Sequence, residues 1–256
     1  MATKHRVIRG EQWAQALLAQ LLDADRDTGA WMDAHTHLVK RDRYSQVGLL
    51  RLQDRPCCLK LYRSKSPWQY LQFALGRGRA VNSFDRGHSL RAAGIAVPEE
   101  LALLRVPGGM LLLCCAIEQA ENLQVLWPRV DSRATREQIM DRAAQLLARL
   151  HNAGFAHGDC KWSNWLWAQG QLYLVDLDAV CQAAAGDRRQ ARDLARFTLN
   201  AEELSLQPAL YDLFLEGYLS VTGLSRDVLM PPMLVELQGL RQRHLQRYGE
   251  SGQRLV

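Results

Sequence analysis

The chain has 256 residues, is 48% hydrophobic, and carries 32 Lys and Arg against 27 Asp and Glu, a formal charge of +5. That length and apolar content suffice for a buried core, in one bilobed unit or two small domains, and exclude a disordered chain. A surplus of +5 does not identify nucleic acid as a partner, and none is expected; it favours anionic substrates or an anionic membrane surface.

No run approaches the roughly 18 apolar residues of a membrane span, and the first residues lack the apolar stretch of a secretory signal. A cytoplasmic location is the expectation. The six cysteines are two adjacent pairs, Cys57-Cys58 and Cys114-Cys115, plus Cys160 and Cys181. This matches no zinc spacing and no disulfide framework, so they read as reduced thiols, four of them in strands. Basic clusters stand at Arg188, Arg189 and Arg192 and at Arg241, Arg243, His244 and Arg247; a solvated helix face is the plain reading of the second.

In chain order, residues 11–25 place Trp13, Leu17, Leu18, Leu21 and Leu22 at helical spacing, which predicts an amphipathic helix. Residues 38–40, 47–52 and 57–62 have strand character, the last two joined by turn chemistry at Gln53-Asp54-Arg55-Pro56, and predict a meander. Residues 67–93 read as helix interrupted at Gly76–Gly78 and ended by Gly94 and Pro98. Residues 109–116, bounded by Pro107-Gly108, read as a buried strand.

Ile139, Ala143, Leu146, Leu147 and Leu150 predict a helix over 136–152, closed by Gly154. That places 155–164 as a surface loop on a rigid support, where catalytic side chains are usually displayed. Trp165-Leu166-Trp167, Gln169-Gly170 and residues 172–175 predict a hairpin delivering Asp176. Helices over 190–199, 208–222 and 231–248 complete the chain.

The chemistry concentrates in His157-Gly158-Asp159-Cys160-Lys161-Trp162-Ser163-Asn164. Moving a γ-phosphoryl group from ATP needs a carboxylate to accept the hydroxyl proton, a cation on the migrating phosphate, and oxygen ligands for Mg²⁺. Asp159, Lys161, Asn164 and, after the hairpin, Asp176 supply these in the order and spacing of a kinase catalytic loop. An isolated Asp is commonly a cap; the joint pattern outweighs that reading. A carboxylate and an amide oxygen are hard donors suited to Mg²⁺. Asp178, alternate to Asp176 along a strand, either assists the metal or caps the next turn. Trp165 and Trp167 read as core, whereas Trp162 either stacks on a sugar face or packs inward. Cys160 lacks the His/Asn arrangement of a thiol nucleophile, and His157 reads as a residue that fixes the loop.

The pattern H-G-D-x-K-x-x-N followed by V-D-L-D resembles the protein-kinase-like fold, and within it the bacterial lipopolysaccharide core kinases, the Kdo and heptose kinase group that includes InaA-type proteins. Lys60 in Cys-Leu-Lys-Leu-Tyr, residues 92–98 and Arg192-Asp193-Leu194-Ala195-Arg196 add to the likeness, which spans about residues 38 to 200. The resemblance implies an α+β, bilobed protein-kinase-like fold: an N-terminal helical extension over 1–37, an N-lobe over 38–121 with a small antiparallel sheet, and a mainly helical C-lobe over 122–256.

It implies Asp159 as base, Lys161 as the cation on the γ-phosphate, Asn164 and Asp176 as Mg²⁺ ligands, Lys60 on the α and β phosphates, and Asp193 at a helix start bonding the catalytic-loop backbone. Ser45 or Arg43 is placed on phosphate by the loop over 41–48, which lacks G-x-G-x-x-G. The usual helical Glu is missing, leaving Asp85 or Asn82 as partner of Lys60. Gly158 stands where protein kinases carry Arg, which implies constitutive activity. The implied partners are ATP and a lipopolysaccharide core sugar or other hydroxyl acceptor, with peripheral contact at the cytoplasmic face of the inner membrane. A small-molecule kinase of the aminoglycoside or choline type and a catalytically weak pseudokinase module are the alternatives.

Overall fold

The computed structural model describes residues 5–21, 27–249 and 252–256, so residues 22–25 of the first expected helix lie outside it. The described chain divides into two compact units, residues 1–89 with 98–118 and residues 90–97 with 119–256.

The first unit is built on an antiparallel sheet of β1 (Arg6–Arg9), β2 (His37–Arg41), β3 (Ser45–Leu52), β4 (Arg55–Arg63), β5 (Glu100–Val106) and β6 (Gly109–Cys115), in the order β1-β5-β6-β4-β3-β2. The expected meander is β2-β3-β4. Gln53 and Asp54 both take positive φ, 49° and 60°, the turn whose twist matches that of the strands it joins, while Arg55 and Pro56 already belong to β4. The first 37 residues, expected as a helical extension, hold the helices α1 (Glu11–Leu21) and α2 (Thr28–His35), but also β1, which extends the sheet beside β5.

One sheet face is covered by Ala14, Leu17 and Leu21 of α1 and by Trp31 and Met32 of α2, packed on Leu59, Leu61, Leu104, Leu111 and Leu113. The opposite face, with Tyr62, Leu103, Met110 and Leu112, is covered by Phe73 of α3 (Pro67–Ala74) and by Ala80 and Val81 of α4 (Arg79–Ala92). The expected break at Gly76–Gly78 separates these helices. In the sheet Cys57 lies opposite Cys115 and Cys58 opposite Cys114, and all six cysteines are free thiols. Burial pushes Cys58 up to about 11 and, with the Glu99 carboxylate accepting from its thiol, Cys115 up to about 12. Such thiols are poor nucleophiles near neutral pH.

The second unit gathers around α6 (Arg133–Asn152), preceded by β7 (Glu121–Asn122) and α5 (Leu123–Leu126), and followed by β8 (Phe155–Ala156), the hairpin β9 (Trp165–Ala168) and β10 (Gln171–Leu174), and β11 (Cys181–Gln182). Then come α7 (Arg188–Glu203), α8 (Pro208–Thr222) and α9 (Arg226–Tyr248). Ile139, Ala143, Leu146, Leu147 and Leu150 of α6 are buried with Phe197, Tyr211, Phe214, Tyr218 and Leu237, as their spacing predicts.

The last helix begins five residues before Pro231 rather than at it. Leu229 and Met233 form one buried stripe across the two prolines, and that burial outweighs the lost backbone bonds. Helix α7 starts at Arg188 because the Asp187 carboxylate accepts from the Arg189 amide as N-cap.

Candidate active site

The loop after α6 is not the exposed segment its position implied. Ala156, His157, Cys160, Trp162 and Asn164 are buried, and Gly158, Asp159, Lys161 and Ser163 alternate with them at or near the surface. Burial of every second or third side chain fixes the backbone, so the polar side chains between them project from a rigid frame.

Several bonds make that frame. His157 Nδ1 accepts from the Asp159 amide at 3.3 Å, which leaves Nε2 to donate to the Val175 carbonyl at 3.1 Å and ties the loop to the end of the hairpin. The Asp193 carboxylate accepts from the amides of His157 at 2.5 Å and Gly158 at 2.9 Å. Asp193 lies within α7 rather than at its start, facing His151, whose Nδ1 is 2.7 Å from the Tyr218 hydroxyl. Gly158 sits at φ +80°, and a Cβ there would come 2.6 Å from the Ala179 carbonyl; only glycine allows this approach.

Trp162 is fully buried, edge-on to Trp127 and against Phe197, with its indole N–H donating to the Phe197 carbonyl. Of its two readings the structure shows inward packing. Trp165 is buried as expected, and Cys160 is a buried thiol pushed well above its usual range by burial.

Within this frame three of the expected groups converge. Lys161 Nζ donates to Asp159 Oδ2 at 2.7 Å, and Asn164 Nδ2 donates to the Asp159 carbonyl at 2.9 Å and to Oδ2 at 3.2 Å. With its nitrogen turned to Asp159, Asn164 has its amide oxygen as the atom for a cation. The Val175 amide donates to the Asn164 carbonyl at 3.0 Å, which sets Asp176 next to the loop in the chain register.

Asp176 has φ +63° in the left-handed region, where the chain leaves the strand and enters a 3₁₀ turn over Leu177–Ala179. Strand alternation therefore does not relate Asp178 to Asp176, because residues 176–178 are not extended.

Lys60 and Ser45 belong to the first unit. Lys60 lies in β4 opposite Leu112, with its ammonium 4.6 Å from the centre of the Tyr62 ring. Ser45 donates its hydroxyl to Asp42 Oδ2 at 2.6 Å, and Asp42 Oδ1 accepts from the amides of Tyr44 and Ser45. The Ser45 bond and these amides hold the Asp42 carboxyl below its usual range. The amides that a glycine-rich loop would offer to phosphate are thus occupied by the loop's own acid.

Neither sequence candidate for the partner of Lys60 is buried. Asn82 and Asp85 are exposed, and Asp85 pairs with Arg9 of β1 at 3.5 Å. The carboxylate on the face of Lys60 is instead Glu100, 8% exposed, in β5 opposite Cys114. It lodges against α4 where Gly87 leaves room, since a Cβ at Gly87 would stand 1.4 Å from its Oε1. Burial keeps the Cys114 thiol well above its usual range; Glu100 adds to that shift and Lys60 opposes it, so both charges act on the thiol between them. A helix glycine beside a sheet acid is the signal that would have found Glu100, and it needs the register to be read.

A family model described as the lipopolysaccharide kinase (Kdo/WaaP) family matches residues 55–218. A probable bifunctional tRNA threonylcarbamoyladenosine biosynthesis protein from Methanoculleus marisnigri is 32% identical over 107 residues, 41% of this chain and 20% of that protein. The chain thus spans about a fifth of that curated relative (20%). A solved structure described as WaaP in complex with acyl carrier protein matches with a TM-score of 0.59 at 16% identity, covering 95% of this chain and 99% of that one. At that identity the likeness speaks for the fold, which is of the protein-kinase-like type expected.

Proposed function

Since the chain belongs to the lipopolysaccharide kinase (Kdo/WaaP) family, whose members are phosphotransferases acting on a hydroxyl, we propose that it transfers the γ-phosphoryl group of ATP, with Mg²⁺, to a hydroxyl of a lipopolysaccharide core sugar. The observation that carries this reading is the convergence of Lys161 and Asn164 on one carboxylate oxygen of Asp159.

In this reading Asp159 accepts the proton of the acceptor hydroxyl, with its orientation set by the two donors that hold it. Lys161, 36% exposed in its side chain, exchanges part of its contact with Asp159 for the transferring phosphate and stabilises the charge that develops there. Asn164 and Asp176 would hold the Mg²⁺, which would neutralise phosphate charge and orient the leaving group. Two protein ligands suffice, because Mg²⁺ usually completes its shell with phosphate oxygens and water. Lys60 takes the α and β phosphates. Ser45 reaches a phosphate only by exchanging its bond to Asp42.

Glu100 replaces the missing helical carboxylate and keeps the ammonium of Lys60 positioned on the sheet face. Lys60→Ala is expected to raise the KM for ATP by about 10- to 100-fold, the loss of a charge-assisted bond to phosphate. Glu100→Gln, which keeps shape and volume, is expected to raise the same KM by several-fold, on the order of 1 kcal/mol, while kcat at saturating ATP changes less. Steady-state kinetics over a range of ATP concentrations reads both. An unchanged KM in Glu100→Gln removes Glu100 from the site.

The function itself is tested by mass spectrometry of core oligosaccharide from cells with and without the gene. The expected difference is one phosphate, restored by the wild-type chain and not by Asp159→Asn. Identical oligosaccharides, together with Mg²⁺-dependent transfer to a soluble small alcohol in vitro, would assign the chain to the small-molecule kinases instead.

A further inference from the structure

The basic clusters that the sequence offers as candidates for an anionic surface are largely used inside the second unit. Arg188 pairs with Glu236, Arg189 with Asp187, Arg241 with the buried Glu202, and His244 with Glu203. A different surface, on the first unit, combines unpaired apolar area with positive charge.

Helix α3 turns Phe73 into the core and presents the other side to solvent, with Trp68 at 68%, Leu71 at 46% and Leu75 at 63% exposure. At 3.6 residues per turn these three side chains fall within an arc of about 60°. They form a continuous stripe, not scattered apolar residues of the kind every surface carries. The stripe is flanked by exposed Lys65 before the helix and exposed Arg77 after it. Beside Lys65 lies Tyr44, whose ring centre is 4.8 Å from the Lys65 ammonium and 5.3 Å from the Arg43 guanidinium. Between Lys65 and Arg77 the chain carries no Asp or Glu, so no acid lies within the segment that bears the stripe.

We propose that the outward face of α3 docks the protein on a bilayer containing anionic phospholipid. Trp and Leu side chains enter the headgroup and acyl boundary while Lys65, Arg77 and Arg43 meet lipid phosphates, and Tyr44 sits at the level where amphipathic rings concentrate. A second copy of the chain is a poorer occupant, because a two-fold contact through this face sets Lys65 and Arg77 against their own like charges. This surface is independent of the proposed transfer, and its test does not need catalysis.

The whole chain is sedimented with vesicles of phosphatidylcholine alone or mixed with phosphatidylglycerol. Binding is expected only to the mixed vesicles and is expected to weaken as salt rises. Trp68→Ser and Leu71→Ser should each lower the partition coefficient about tenfold or more, the loss of one buried large side chain. Lys65→Glu with Arg77→Glu should abolish the preference for anionic lipid. Because these side chains are exposed, the melting temperature is expected to stay at the wild-type value, and turnover of a soluble deacylated acceptor should also be unchanged. Loss of that turnover together with retained vesicle binding would count against the kinase reading and leave the docking surface standing. Absence of wild-type binding, or equal binding by the serine variants, overturns the proposal. So does a dimer at sedimentation equilibrium that Trp68→Ser dissociates, or salt-sensitive capture of a soluble acidic protein by a chain that ignores vesicles.

Discussion

Asp159→Asn is expected to reduce phosphoryl transfer by about 10²- to 10⁴-fold, the usual contribution of a positioned general base, while the affinity for Mg²⁺-ATP stays within about threefold of wild type. The substitution is nearly isosteric. An asparagine oxygen at this place still accepts from Lys161 Nζ, as Asp159 Oδ2 does at 2.7 Å, and the Asp159 carbonyl that accepts from Asn164 is backbone and unaffected. The Asp159 amide keeps its bond to His157 Nδ1. What disappears is the negative charge that accepts the hydroxyl proton, so the defect should appear in kcat rather than in nucleotide binding. The melting temperature should be near wild type as well, since the Asp159 side chain is 32% exposed and exposed ion pairs contribute little to stability. Initial rates with saturating acceptor, calorimetric titration of Mg²⁺-ATP and a thermal melt read the three quantities. Wild-type turnover in this variant would falsify the base assignment, and loss of nucleotide binding would move Asp159 from proton transfer to nucleotide positioning.

The features that could be read from the sequence share one property: each is written in local spacing. The catalytic loop is recognisable because Asp159, Lys161 and Asn164 lie within six residues, and the structure brings Lys161 and Asn164 onto one carboxylate oxygen of Asp159. The hairpin that follows is announced by Gln169-Gly170, and both residues take positive φ. Helix α6 appears in its buried 3, 4, 7 pattern.

What escaped depends on packing between distant segments. Strand β5 is buried on nearly every residue, so it shows no alternation, and it opens on Glu100, a residue type depleted in strands. Strand β1 is four residues with arginine at each end and gains its place only by pairing with β5. Helix α2 is short and depends on the Asp27 carboxylate accepting from Gly29 as its cap. The substitute for the helical Glu is invisible for the same reason. Glu100 reaches the face of Lys60 only through the register β4-β6-β5, and its fit depends on Gly87, thirteen residues earlier in the chain. The occupied amides of the 41–48 loop likewise follow from the fold of that turn around Asp42, not from its composition.

Asp193→Ala should damage the same activity by another route, and the difference between the two variants separates chemistry from support. Asp193 is 1% exposed, and its carboxylate satisfies the amides of His157 and Gly158 while facing His151 Nε2 at 3.4 Å. Alanine leaves two amides and an imidazole without that acceptor, at about 1–3 kcal/mol for each donor stranded in the interior. The sum, at least about 3 kcal/mol, is a large part of the stability of a typical domain. For a unit of this size it corresponds to a fall in melting temperature of roughly 10 °C. Asparagine is a weak rescue, because its NH₂ group would face one of the two backbone amides that the second carboxylate oxygen now accepts from.

The catalytic consequence follows from the same bonds. Without them residues 157–159 lose the fixed backbone that aims the Asp159 carboxylate, and a displacement of about 1 Å at a reacting group typically costs on the order of 10²-fold in rate. Asp193→Ala is therefore expected to lose both stability and kcat, whereas Asp159→Asn loses kcat alone. A thermal melt beside a rate measurement distinguishes them. If Asp193→Ala melts and turns over like wild type, the loop is not held from α7, and the rigidity assigned to the site must come from His157 and the burial of Trp162.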